Sequence, residues 1–120
     1  MDTTVLRHLP LQPRDYLILL TLTPGERHGY GMIQLVEEKT SGAVRLDPAN
    51  LYRALKRLIK EGLVQEAGRR AAPDARDERR RYYAITEFGR LVVAEEAHRQ
   101  VELLEIARDF NVLAGKEIGA

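Results

Sequence analysis

Arg53, Lys56, Arg57 and Lys60 stand at i, i+3, i+4 and i+7, a spacing that stacks side chains on one face of a helix. All four are cations, and Glu61 follows only at the end of the row. An ordinary solvated face mixes signs. A row of one sign matches the phosphates of a nucleic acid, whose neutralisation releases bound counterions and drives association. Asn50 and Tyr52 precede the row and are the residues best placed to approach base edges, where Asn pairs with adenine and Arg with guanine through two hydrogen bonds.

A second basic block lies in "DERRRYYAIT", Asp77 to Thr86. Strand alternation puts Arg79, Arg81, Tyr83 and Ile85 on one face and Arg80, Tyr82, Ala84 and Thr86 on the other. Tyr83 and Ile85 read as core-facing. Arg79 and Arg80 then join Arg69 and Arg70 of the preceding strand at the outer end of a hairpin. Four arginines there can neutralise phosphates or enter a narrow minor groove. Asp74, Asp77 and Glu78 lie among them and weaken the field where they pair with them.

Elements able to position these cations are legible around them. "PRDYLILLTLT" has Pro13 in a first turn and is apolar nearly all round, which predicts a buried helix ended by Pro24 and Gly25. "HGYGMIQLVEEKTSG" carries Tyr30, Met32, Ile33 and Val36 at helical spacing and stops at Gly42. The third helix is the clearest. Asp47 caps it, Pro48 opens it, Leu51, Leu55, Leu58 and Ile59 form its core stripe, and Gly62 follows its end near Glu61. "LVQEA" and "RRRYYAIT" read as two strands, with "GRRAAPDARDE" as the loop between them. Thr86 caps a last helix from Glu87 to about Leu113, roughly 27 residues and about 40 Å long. Such a helix is too long to pack wholly on a small body. It carries one apolar line through Val93, Ala97, Val101 and Leu104, and another through Leu103, Ile106, Phe110 and Leu113.

The order helix, helix, helix, hairpin, long helix predicts an α+β, mostly α fold. Residues 1–86 form a winged helix-turn-helix DNA-binding domain with a two-stranded wing, and residues 87–120 a C-terminal dimerisation helix. In this arrangement the third helix enters the major groove, and the wing touches the backbone or minor groove beside it. The expected dimer interface uses Val93, Ala97, Val101, Leu104, Ile106 and Phe110.

Composition narrows the alternatives. The chain has 120 residues, 44% hydrophobic and 31% charged, as expected of one soluble domain. It has no cysteine, which excludes disulfides and thiolate chemistry. No run of apolar residues is long enough to span a membrane, and the N-terminus lacks the zones of a signal peptide, so a cytoplasmic location is expected. Net charge is only +1, but Arg45 to Arg90 holds 12 basic against 7 acidic residues, and the remainder 7 against 11. A basic middle with acidic ends orients a protein on a polyanion. His8, His28 and His98 are scattered and form no metal-ligand set, no serine–histidine constellation suggests catalysis, and "HGYG" lacks the lysine of a phosphate loop. No metal, cofactor or enzymatic activity is expected.

"HGYGMIQLVEE", "NLYRALKRLIKEGLV" and "RRRYYAITEFGRLVV" together resemble the signature segments of the PadR family of transcriptional regulators, over about Leu9 to Val93. The resemblance implies a homodimeric DNA-binding repressor, dimerised through its C-terminal helix and often released by a small-molecule effector. The chain is similar to the smaller subgroup with a single C-terminal helix. The family commonly has small residues before "LY" where this chain has "DPAN". Some members of the subgroup bind flat aromatic compounds at the dimer interface through a tryptophan. This chain has none, so that pocket does not carry over; Tyr16, Phe88 and Phe110 are the aromatics available to an effector there. The competing expectation is a winged-helix module that binds protein rather than DNA, and the retained cationic row argues against it.

Overall fold

The computed structural model describes residues 3–71 and 79–114. The chain runs α1 (Thr3–Leu6), α2 (Pro13–Leu22), β1 (Arg27–His28), α3 (Gly29–Lys39), α4 (Pro48–Lys60), β2 (Val64–Ala71), β3 (Arg79–Ile85) and α5 (Glu87–Asp109). The strands form an antiparallel sheet in the order β1-β3-β2. The wing expected to be two-stranded thus gains a third, two-residue strand along β3, too short to leave any periodicity in sequence.

The predicted α4 forms for the predicted reasons. The Asp47 carboxylate accepts the Asn50 N–H at 3.1 Å, Pro48 opens the first turn, and Leu51, Leu55 and Leu58 are buried. Gly62, at φ 81°, lets the Leu63 N–H reach back to the Leu58 carbonyl at 3.0 Å and close the helix. Around this stripe, Ile18, Leu19 and Leu22 of α2, Met32 and Val36 of α3, Tyr83 and Ile85 of β3 and Val92 of α5 complete one core. Tyr30, expected on the apolar stripe of its helix, is instead 56% exposed, and Met32 takes the inward position.

Two strand and helix ends differ from expectation. β2 continues through Gly68 to Ala71 rather than giving way to loop, because a bulge between Glu66 and Arg69 takes up one extra residue with Gly68 at φ 92°. α5 stops at Asp109 rather than near Leu113, since Asn111 turns left-handed (φ 62°) and Val112 N–H donates to the Ala107 carbonyl at 3.0 Å.

Thr86 fixes where α5 leaves the wing. Its hydroxyl accepts the Gly89 N–H at 2.9 Å and donates to the Gly62 carbonyl at 2.6 Å, while its own N–H donates to the Leu63 carbonyl at 3.1 Å. Gly89 lies so close that any Cβ would overlap the Leu63 carbonyl oxygen. The first turns of α5 therefore belong to the domain core. Val93, assigned to the dimer interface from sequence, is one of the core residues at 6% exposure and has almost no surface left for a partner.

Farther along α5, Glu96 is fully buried. Its carboxylate accepts from the Leu11 N–H at 2.8 Å, Arg99 Nη2 at 2.6 Å and Gln100 Nε2 at 2.8 Å. Burial works to raise its pKa, but these bonds outweigh it and hold the carboxyl below its ordinary value. Beyond this anchor α5 carries exposed Val101, Leu103, Ile106 and Phe110, the last 77% exposed. No helix among the described residues is long and apolar enough to cross a membrane.

Candidate nucleic-acid interface

At 3.6 residues per turn, burying Leu51, Leu55 and Leu58 turns Lys56, Lys60 and Arg53 outward, with Tyr52 and Arg57 on opposite rims. Arg53, Lys56, Arg57 and Lys60 are all exposed. The two rims meet different neighbours.

On the α2 rim, Arg57 Nη1 and Nη2 each lie 2.9 Å from an oxygen of Asp15. The Asp15 side chain is only 8% exposed against 47% for Arg57, and the paired carboxylate pushes the guanidinium pKa up, mainly through their hydrogen bonds. Glu61 adds a second carboxylate at 4.0 Å. Arg57, read from sequence as a DNA-contact member of the cationic row, therefore also ties α4 to α2. Arg53 donates to the Asn50 side-chain oxygen, so this member of the cationic row and one of the two residues expected to approach base edges hold each other at the start of the helix.

On the other rim, Tyr52 shares an open cleft with His28 and Tyr30 at the start of α3 and with Arg69, Arg80 and Arg81 of the hairpin. The bulge brings Arg69 opposite Arg81, on the Tyr83 side of the strand, which unbroken alternation would not do. Arg81 lies 3.5 Å from Glu66. Arg80 reaches the edge strand, its Nη1 2.9 Å from His28 Nε2 and its guanidinium carbon 5.9 Å from the Tyr30 ring centroid. The His28 ring also stacks on Tyr30 at 6.5 Å, 7° from parallel, and meets Tyr82 edge-on at 5.4 Å.

Arg70 and Arg79 hold the outer register positions of the hairpin, opposite Arg80 and Ala71, but their side chains lie outside the described residues, as do Asp74, Asp77 and Glu78. Of the interface residues expected on α5, Val101, Ile106 and Phe110 are exposed, while Ala97 and Leu104 are half-buried.

His28 and Tyr30 were not among the sequence candidates. His28 reads as helix-start packing, and it does cap α3, its Nδ1 accepting the Gly31 N–H at 3.0 Å. Its second nitrogen meets an arginine 52 residues away, which no local pattern announces. Among the described residues no group of three His, Cys, Asp or Glu is close enough to hold a metal.

The comparison with known proteins agrees with this architecture. A transcriptional regulator from Clostridium thermocellum has a similar structure, with TM-score 0.67 at 24% identity over 92% of this chain and 97% of that one. A PadR family regulator from Clostridium difficile gives TM-score 0.67 at 23% identity over 80% and 95%. Bacillus subtilis PadR in complex with operator DNA gives 0.61 at 22% over 72% of this chain and 47% of that one, so the chain spans about half its length. An uncharacterized protein of Lysinibacillus sphaericus is 29% identical over 77% of this chain and 82% of its own. The model of the PadR-like transcriptional regulator family matches residues 18–95, and the chain belongs to that family.

Proposed function

We propose that this regulator acts as a homodimer that binds a pseudo-palindromic duplex operator, represses transcription and is released by a small-molecule effector. The observation that carries the DNA reading is the continuity of one cationic surface. Lys56, Lys60 and Arg53 on α4 adjoin, across Tyr52, the cleft that holds Arg69, Arg80 and Arg81 of the wing. A helix of this width fits the major groove, and a wing beside it meets the flanking backbone. The similar fold of a PadR bound to operator DNA supports the same docking mode.

Dimerisation rests on α5. Leu103, Ile106 and Phe110 leave one apolar face of α5 in water, with Val101 exposed on the opposite side, and a second copy of the same helix covers apolar surface there in the symmetric way most common for homo-oligomers. Two α4 helices about 34 Å apart would then read half-sites one turn apart. Repression and effector release come from the family resemblance, with Tyr16, Phe88 and Phe110 as the aromatics available to an effector.

A mobility-shift assay with a fragment carrying the promoter of its own gene, combined with size-exclusion chromatography, tests the reading. The expected result is a dimer that retards the fragment at low salt. A folded chain that retards no duplex at low salt would favour the protein-binding module instead.

A further inference from the structure

Asn50 and Tyr52, the two residues expected to approach base edges, part company in the structure. Tyr52 lines the cleft beside the wing, whereas Asn50 lies with Arg53 along a cleft between α4 and the first turn of α2. The Asn50 side-chain oxygen accepts from Arg53 Nη2, one turn farther along the exposed face of α4. A guanidinium only donates, so the atom that meets it is the amide oxygen, and the orientation of the amide follows. This decides what Asn50 can still read. Pairing with adenine takes both ends of the amide, the oxygen accepting from N6 and the nitrogen donating to N7. With the oxygen on Arg53, only the donor end remains.

The pair therefore presents donors alone. Arg53 spends one guanidinium N–H on Asn50 and keeps the others. The carboxylates lining the same cleft are engaged, Asp15 by both Nη groups of Arg57 and Asp47 by the Asn50 N–H. In the major groove guanine offers two acceptors side by side, O6 and N7, whereas adenine and cytosine each place an amino donor there. Donors alone fit guanine. The residue types on α4 point the same way. Its arginines are Arg53 and Arg57, and Arg57 has both Nη groups turned onto Asp15. Lys56 and Lys60 are point charges suited to phosphate, while a planar fork suits two adjacent acceptors. Arg53 is thus the arginine of α4 open to a base edge.

We propose that Arg53 reads a guanine in each half-site and that Asn50 is its positioning residue, holding the guanidinium rather than pairing with adenine. The assignment rests on the DNA-binding reading above and gives it a base. Holding Arg53 before DNA arrives also spares part of the side-chain freedom that a long exposed arginine would otherwise lose on binding.

Duplexes that the wild type selects from a randomised pool supply the probe. Each guanine is replaced in turn by 7-deazaguanine, which lacks the N7 acceptor. One position per half-site should then cost wild type roughly tenfold in affinity. That cost should vanish in Arg53→Ala. Asn50→Ala should lower it to about threefold, with unchanged melting temperature. Asn50→Asp restores an acceptor for Arg53 and should keep the cost in full, although its negative charge weakens binding to every duplex. A full cost in Asn50→Ala removes the positioning role. Equal costs in wild type and Arg53→Ala overturn the assignment while leaving DNA binding by α4 intact. So does a selected adenine whose 7-deaza cost disappears in Asn50→Ala but persists in Arg53→Ala. A wild type that retains no duplex from the pool at low salt overturns the DNA-binding reading itself, and this assignment with it.

Discussion

Arg57 of α4 closes both arms of its guanidinium on Asp15, at 2.9 Å each, across 42 residues of sequence. The cation nearest the α2 rim therefore holds α4 in place, while its outward neighbours remain on the exposed face. Removing one partner of such a pair strands a largely buried carboxylate. Arg57→Ala should lose about 1–3 kcal/mol of stability in urea unfolding. Lys56→Ala should change stability by less than about 0.5 kcal/mol but reduce the salt slope of duplex binding by about 0.9. Equal stability losses in the two variants would show that Arg57 has no anchoring role.

Two glycines should respond in opposite ways to alanine. At Gly89 the new methyl meets the backbone oxygen of Leu63, which is held in place by the Thr86 N–H, so Gly89→Ala should cost about 1–3 kcal/mol or more. At Gly29 the new Cβ would lie 2.5 Å from the Tyr52 hydroxyl, the free end of a half-exposed ring. Gly29→Ala should swing Tyr52 aside, with little change in melting temperature and a clear loss of duplex affinity. Calorimetry and anisotropy on both variants check the contrast.

Glu96 gives a pH dependence of definite sign. Its folded pKa lies below the ordinary 4.5, so its contribution to stability is fully present above that value and is lost as pH falls through the folded pKa. Between pH 6 and about 3, wild type should lose more stability than Glu96→Gln, measured by urea midpoints at each pH. Parallel curves for the two proteins would remove the carboxylate from the account.

Dimerisation through the outer part of α5 predicts that Ile106→Glu gives a folded monomer. Ile106 is half-exposed and outside the core, so the helical circular dichroism of the winged domain should persist while the mass in light scattering halves. Val93→Ala should instead destabilise the chain by about 1–2 kcal/mol, because Val93 packs in its own core.

Elements with a local cause were legible in the sequence. The Asp47 cap, the Leu51–Leu55–Leu58 stripe and Gly62 define α4 from within 16 residues of chain, and the Tyr83 and Ile85 face of β3 follows from simple alternation. Features made by distant partners were not. Tyr30 has helical spacing, but the neighbouring His28 ring and Arg80 hold it at the surface. The bulge that turns Arg69 toward Arg81 depends on register with β3. Asp15 with Arg57, and His28 with Arg80, meet only once the helices and wing have packed. The charge row was readable; which of its members were already engaged was not.

The central claim, that the outward face of α4 grips DNA, is tested most directly by the salt dependence of duplex binding. Fluorescence anisotropy between about 50 and 200 mM salt should give a steep negative slope of log affinity against log salt for wild type. Arg53→Ala/Lys56→Ala, with unchanged circular dichroism, should bind more weakly with a slope shallower by about 1.8. A double variant that binds with wild-type affinity and slope would contradict the account.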